Sequence, residues 1–273
     1  MSGVHLTTRT SHGVTLLSDE RRPGGVTFAF TERTGGVSRG GYSSLNLGDS
    51  CGDDPACVAE NRRRALVALG AAGLDDRLVN PKQVHGDHVV IITEGSQDAV
   101  AAAQAEARAG ADAVVCTAPD VPVLLCYADC VPVVLTVPGG FAVVHSGWRG
   151  TIARISRLAL GRLLEVSGAR PSEVCAYVGP HIGGVDYQVS EELLKRFTEE
   201  FGPGLCLPGR CLDLLVAVRA TLAEMGVPEE SIAACEASTA TSTDRFFSYR
   251  ASGGDCGRHG ALAVLPGPLC KEV

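Results

Sequence analysis

The sequence predicts a mixed α/β fold (α+β), a sandwich built of helices and mixed sheets. Short apolar runs are bounded by Gly, Pro or Asp, which is typical of strands separated by turns. Longer segments carry apolar residues at a helical period. Strand runs often follow one another directly, and this order favours mixed sheets over a doubly wound parallel sheet.

The first half of the chain opens with a predicted strand, Val26–Thr31, and a Gly- and Ser-rich loop over 34–46. A helix is expected to begin after the N-cap Asp54, with Pro55 at its first position, and to end near Gly70 or Gly73. Two further elements are expected in this half: a strand pair around 82–93 that turns at Gly86-Asp87, and an Ala-rich helix over 99–109.

The second half is expected to contain most of the sheet. Four apolar runs predict strands joined as hairpins, at 113–116, 121–127, 132–137 and 141–145. The expected helices are 151–166, 190–201 and 213–225, and the expected final strands are 232–235, 246–249 and 261–265. No internal repeat or linker is visible, so we expect one domain over residues 1–273.

Composition excludes several classes of protein. The 273 residues are 45% hydrophobic and 20% charged, which is globular and not disordered composition. The net charge of −7 argues against a nucleic-acid-binding protein, which needs a basic face. The most apolar run, 121–137, is interrupted by Asp129 and two prolines, so it predicts no membrane span. Residues 1–15 have no apolar stretch typical of a signal peptide, and a cytoplasmic protein is expected.

Eleven cysteines are present without any Cys-x-x-Cys pair. This pattern excludes a zinc ribbon and a thioredoxin-like motif, and an odd count makes a disulfide framework unexpected. Most of these thiols are expected to be small buried hydrophobes.

Three side chains at predicted strand ends are candidates for chemistry: His85, Cys130 and His145. Two imidazoles and one thiolate would leave a fourth position open on zinc, as a catalytic metal site requires. Spacings of 45 and 15 residues do not decide between this site and a buried cysteine with two hydrogen-bonded histidines.

The segment after the second of these histidines also suits an anion. The glycines of Ser146–Gly150 let backbone amides approach a ligand before a predicted helix, and Arg149 adds a forked cation. Phosphate is therefore a candidate ligand beside the proposed metal. The alternative is an ordinary glycine turn with a solvated arginine.

Other polar residues lie in loops of similar composition. Ser44 and Asn46 are candidates for binding a ribose, and Arg33 is a candidate for phosphate. Arg250 and Arg258, near the C-terminus, have the same status. The alternative is that the 34–46 segment is an Ω-like loop held by its own side chains.

The motifs in this order resemble the laccase-domain family, described variously as polyphenol oxidoreductase, purine nucleoside phosphorylase and peptidoglycan editing factor. The resemblance covers nearly the whole chain. The motifs that carry it are Arg33-x-Gly35-Gly36-x-Ser38, Ser44-Leu45-Asn46-Leu47-Gly48, Asn61-Arg62, Gln83-Val84-His85-Gly86, Ala128-Asp129-Cys130-x-Pro132, His145-x-Gly147-Trp148-Arg149-Gly150, Gly179-Pro180-x-Ile182, Phe247-Ser248-Tyr249-Arg250 and Gly257-Arg258.

The resemblance implies a layered α/β/β/α sandwich, related to cysteine-hydrolase-like toxins, with a core over about 24–268. It implies His85, Cys130 and His145 as metal ligands and catalytic residues, with zinc or copper bound. It also implies phosphorolysis of adenosine, inosine and methylthioadenosine to the free base and ribose 1-phosphate, with adenosine deamination alongside. The partners would be nucleosides and phosphate, on a monomer or homodimer. Asp129, beside Cys130, would orient an imidazole or act as an acid/base.

Three alternatives stay open. A four-copper oxidase needs many histidines, largely in His-x-His pairs, whereas this chain has seven histidines and no such pair. A single copper in the three-donor site remains compatible with polyphenol oxidation. A metal-free amide hydrolase would use Cys130 as nucleophile and His145 or His85 as base, for example on peptidoglycan precursors. A non-enzymatic protein with structural zinc would need a fourth protein ligand, and no convincing one is visible.

Overall fold

A computed structural model of the protein describes residues 3–270. The described residues form thirteen strands: β1 Thr7–Ser11, β2 Val14–Ser18, β3 Thr27–Thr31, β4 Val89–Ile92, β5 Ala113–Cys116, β6 Val123–Tyr127, β7 Val131–Val137, β8 Gly140–Ser146, β9 Cys175–Val178, β10 Cys206–Leu207, β11 Cys211–Leu212, β12 Ile232–Ala234 and β13 His259–Val264. They also form seven α-helices: α1 Pro55–Leu69, α2 Gln97–Ala109, α3 Trp148–Ile152, α4 Ile155–Ser167, α5 Glu191–Phe201, α6 Leu214–Glu224 and α7 Tyr249–Ser252. Across residues 3–270, none of these helices has the length and apolar character needed to cross a membrane.

Two sheets carry most of the strands. The five-stranded sheet is antiparallel throughout, in the order β1-β2-β3-β13-β6. The six-stranded sheet has the order β12-β9-β7-β8-β5-β4 and is mixed, because β4 runs parallel to β5 and β12 runs parallel to β9. Strands β10 and β11 form a separate two-stranded pair.

The two sheets face each other across an apolar core. Phe28 and Phe30 from the five-stranded sheet meet Val134, Phe141 and Val143 from the six-stranded sheet there. Because side chains alternate along a strand, the neighbouring residues of the six-stranded sheet point outward and are covered by α4, α5 and α6. Helix α1 covers the outer face of the five-stranded sheet. This order of layers confirms the predicted α/β/β/α sandwich.

Local signals predict several boundaries well. Helix α1 begins at Pro55 after Asp54, whose side chain accepts a hydrogen bond from the amide of Ala56, and it ends before the left-handed Gly70. Ser190 and Asp213 likewise accept amide hydrogen bonds as N-caps of α5 and α6. The four central runs are strands, but only β7 and β8 form a hairpin, because β6 lies in the other sheet.

Three predicted elements are wrong. Residues 246–249 are not a strand, because Ser248 instead caps the short helix α7. The single helix expected over 151–166 is two helices, since Arg154 takes a left-handed conformation between α3 and α4. Of the strand pair around 82–93 only β4 forms, because the amides of residues 84–86 bind a carboxylate and not a neighbouring strand. Strands β1, β2 and β9 are additional to the predicted elements.

Candidate metal centre

A tight hairpin brings two of the three candidate ligands together. Strands β7 and β8 are paired so that Val131 lies opposite Ser146 and Pro132 opposite His145. Cys130 immediately precedes β7, so it lies beside His145 at the same end of the hairpin. The spacing of 15 residues is therefore the length of one hairpin.

The third candidate, His85, comes from the loop before β4. Its Nε2 atom lies 3.7 Å from the Sγ atom of Cys130. The rings of His85 and His145 meet edge to face, with centroids 4.7 Å apart. One donor atom from each of His85, Cys130 and His145 lies within 4.8 Å of the other two.

A buried carboxylate holds both histidines. Asp112, just before β5, accepts a hydrogen bond from Nδ1 of His145 at 2.7 Å and from the backbone amide of His85 at 2.9 Å. Because Nδ1 of His145 faces Asp112, its Nε2 is the nitrogen left to bind a ligand. Asp112 is a functional residue that the sequence reasoning missed. Its signal is an acidic residue inside the apolar run Ala111–Cys116.

The three side chains shift one another's protonation. Burial alone would raise the pKa of the Cys130 thiol, but the neighbouring imidazoles outweigh burial and lower it. Burial would likewise lower the pKa of His145, but the Cys130 thiolate and Asp112 raise it. Burial would raise the pKa of Asp112, yet the His145 hydrogen bond and charge and the loop amides lower it. The site therefore favours a thiolate, which is the form that binds metals and acts as a nucleophile.

Room for a ligand depends on Gly147. A Cβ atom at this position would lie 2.8 Å from Cδ2 of His85, 3.1 Å from Sγ of Cys130 and 3.6 Å from Cε1 of His145. Its φ of −73° and ψ of 170° are open to any residue, so glycine is required here for space and not for conformation. Tyr127 closes the buried side, with its ring centroid 5.5 Å from that of His145.

Asp129 is engaged elsewhere. Its carboxylate accepts hydrogen bonds from the Thr239 hydroxyl and the Arg250 backbone amide, both at 2.6 Å. The carboxylate paired with an imidazole is Asp112, so the structure corrects the orienting role expected of Asp129. A proton-transfer role for Asp129 stays a prediction.

Tyr187 and Arg250 lie on the same side of the site. The Arg250 guanidinium donates to the carbonyls of Asp186 and Gln188 and lies 5.4 Å from the Tyr187 ring centroid. Burial, helped by the charges of Cys130 and Asp129, raises the pKa of Tyr187 to about 12. This electrostatic coupling indicates that Tyr187, which was not predicted from the sequence, lies near the thiolate.

The remaining candidate ligands mainly hold loops. Arg33 donates to the carbonyls of Ser43 and Thr243, and Arg258 donates to those of Cys256 and Gly257. Asn46 is fully buried: its Oδ1 accepts from two backbone amides, and its Nδ2 donates to the Gly48 carbonyl and the Asp53 carboxylate. The hydroxyl of Ser44 accepts from the amide of Gly36. These contacts agree with a self-supported loop, and substrate binding by these four residues stays a prediction.

Arg149 lies on the exposed side of the hairpin end. Its guanidinium stacks on the Trp148 ring at 4.6 Å, and Arg196 approaches the same ring at 5.8 Å. The ring itself packs partly against the core under the helices. Binding of phosphate by Arg149 stays a prediction.

The donor set fits a single thiophilic metal. Zn–N bonds of about 2.1 Å and a Zn–S bond of about 2.3 Å place tetrahedral ligand atoms about 3.5 Å apart. The 3.7 Å separation of Cys130 Sγ and His85 Nε2 agrees with this geometry. The fold and site thus define a layered α/β/β/α protein with a His₂Cys site able to bind a metal through three protein ligands.

Comparison with known proteins gives the family. Residues 27–266 match the family described as "Multi-copper polyphenol oxidoreductase laccase", and the chain belongs to this family. A protein of Deinococcus radiodurans named "Purine nucleoside phosphorylase" is 39% identical over 94% of this chain and 95% of its own length. "Adenosine deaminase RL5", from an unknown prokaryotic organism, is 33% identical over 84% of this chain and 90% of its own. The crystal structure of YlmD from Geobacillus stearothermophilus matches with a TM-score of 0.82 and 29% identity, over 95% and 98% of the two chains.

Proposed function

We propose that the protein is a zinc-dependent purine nucleoside phosphorylase with adenosine deaminase activity. It would convert adenosine, inosine and methylthioadenosine to the free base and ribose 1-phosphate. The observation that carries the proposal is the convergence of His85, Cys130 and His145 around the space that Gly147 leaves open. The relatives named for these two activities support the same reading.

The chain's own residues would prepare the site in three ways. Cys130, as a thiolate, and the Nε2 atoms of the two histidines would hold zinc, which supplies Lewis-acid chemistry when bound. Asp112 keeps the proton of His145 on Nδ1, so that Nε2 is available. Gly147 keeps a side chain out of the space where a substrate would approach.

Phosphorolysis breaks the glycosidic C–N bond and forms a C–O bond to phosphate, so an anion and a nucleoside must be bound side by side. Arg149 and Arg250 are exposed cations on elements adjoining the three ligands, and they are the candidates for orienting phosphate. Tyr187 is the aromatic ring nearest these groups that suits stacking on a base.

Zinc is favoured over copper as the resident metal because two imidazoles and one thiolate are a common zinc donor set. Copper binds such sites more tightly when it is available, so it is retained as a second candidate for polyphenol oxidation. The eleven cysteines are all free thiols, which supports a cytoplasmic, reducing location.

The test is phosphorolysis by protein of measured metal content. Protein loaded with one zinc is incubated with inosine and phosphate, and hypoxanthine and ribose 1-phosphate are followed. The matched variant Cys130→Ser removes the thiolate with little change of volume and should lose both zinc and product formation. Zinc-loaded wild type that forms no product from inosine, adenosine or methylthioadenosine would contradict the proposal.

The same geometry favours a second candidate, a Cys–His amide hydrolase acting on peptidoglycan precursors. Cys130, His145 and Asp112 form a chain of nucleophile, base and orienting carboxylate. The two candidates differ in their response to zinc removal. A hydrolase would cleave a precursor amide after chelation of the metal, whereas the phosphorylase would lose activity and regain it when zinc is restored.

A further inference from the structure

Asp112 is fully buried and surrounded by four N–H donors. Its Oδ1 accepts from the amide of His85 and from Nδ1 of His145, at 2.9 and 2.7 Å. Its Oδ2 accepts from the amides of Val84 and Gly86, at 3.2 and 2.7 Å. A carboxylate has about four acceptor positions, so all of them are used.

These bonds reach the two histidines by different routes. His145 is held by its ring, and the main-chain carbonyl of Asp112 also accepts the backbone amide of His145 at 2.7 Å. His85 is held by its backbone, within a loop whose left-handed φ of 59° at His85 turns three successive amides toward one side chain. One carboxylate therefore sets the position of one ligand side chain and the backbone of another.

We infer that Asp112 is a positioning residue that holds His85 and His145 at metal-binding separation before any metal arrives. The inference rests on the proposed zinc site and deepens it, since it assigns the assembly of that site to one side chain. The physical requirement is an acceptor at both oxygens. An amide side chain would turn an NH₂ group toward two N–H donors, and the 84–86 loop would be released.

The test compares Asp112→Asn with Asp120→Asn. Asp120 is a matched control, because it is also buried and its carboxylate also accepts two backbone amides, those of Gly267 and Leu269 at 2.9 Å each. Asp112→Asn should weaken zinc binding by about 10- to 100-fold, the range for residues that orient metal ligands. Asp120→Asn should leave zinc affinity unchanged. Equal zinc affinity of Asp112→Asn and wild type would overturn the inference.

A second measurement does not depend on zinc or on the variant folding. In metal-free wild type the amides of residues 84–86 should exchange with solvent as slowly as the amides of β5 and β8, although they belong to a loop. Exchange at the rate of an exposed loop would overturn the inference. Wild type that binds no zinc but protects these amides would count against the proposed function and leave the positioning role standing.

Discussion

Gly147→Ala is the substitution that tests the site most directly. The added Cβ would lie 2.8 Å from Cδ2 of His85 and 3.1 Å from Sγ of Cys130. Ordinary carbon contacts begin near 3.5 Å, so the His85 ring must move by about 0.7 Å. Metal sites tolerate changes of about 0.2 Å in ligand distance. The displacement is several times this tolerance, and zinc affinity is expected to fall by at least about 100-fold, the upper end of the loss from a disturbed orienting residue.

The fold should survive this change. Gly147 has an extended backbone conformation that alanine adopts freely. The groups that must give way are the ends of side chains, and His85 is accessible to solvent. The free energy of unfolding is expected to fall by about 1 kcal/mol, at the low end for overpacking.

Competition with a chromophoric chelator measures zinc affinity, and urea denaturation measures stability. Gly161→Ala is the matched control, because a Cβ there meets no atom within 4 Å and position 161 lies inside α4. It should bind zinc like wild type and gain about 0.5–1 kcal/mol of stability. If Gly147→Ala binds zinc as tightly as Gly161→Ala does, the argument that Gly147 provides the space for the metal is refuted.

Three further predictions concern the scaffold. Asn61→Ala should lower the free energy of unfolding by about 2–4 kcal/mol without changing zinc stoichiometry, because Asn61 accepts the amide of Val37 and donates to two loop carbonyls and a hydroxyl. Burial lowers the pKa of His259 to about 4, so stability should fall as pH drops from 6.5 to 4, by up to about 3 kcal/mol; His259→Asn should show a smaller loss in urea titrations over this window. Gly179→Ala would drive a methyl group into the ring of buried Phe30 and should lower the melting temperature, through an overpacking cost of about 1–3 kcal/mol; an unchanged melting temperature would contradict this.

Local chemistry made part of the site predictable from sequence. Pro, Gly and capping residues mark the ends of β7, β8 and α1, and the hairpin they define places Cys130 beside His145. The position of His85 was not predictable in this way. It depends on Asp112, which is 27 residues away, and only the folded sheet brings the two together.

The wrong elements have the same cause. Residues 82–87 look like a strand because their apolar pattern is local, but their amides bind a distant carboxylate. Residues 246–249 look like a strand because Phe246 and Phe247 are apolar, yet both are buried in a turn that Ser248 leads into α7. That the chain forms one domain stays a prediction.

The placement of the other histidines bears on the copper chemistry in the family's description. His88 pairs with Glu106, His181 bonds the carbonyl of Gly179, and His259 is buried against Tyr127. Within residues 3–270, a group of three or more metal-binding side chains within reach of one another forms only around His85. A cluster of coupled coppers would need several such groups side by side, and the histidines that could build them are engaged in other contacts. The described part of the chain is therefore organised around one three-ligand centre, and whichever metal it binds acts there singly.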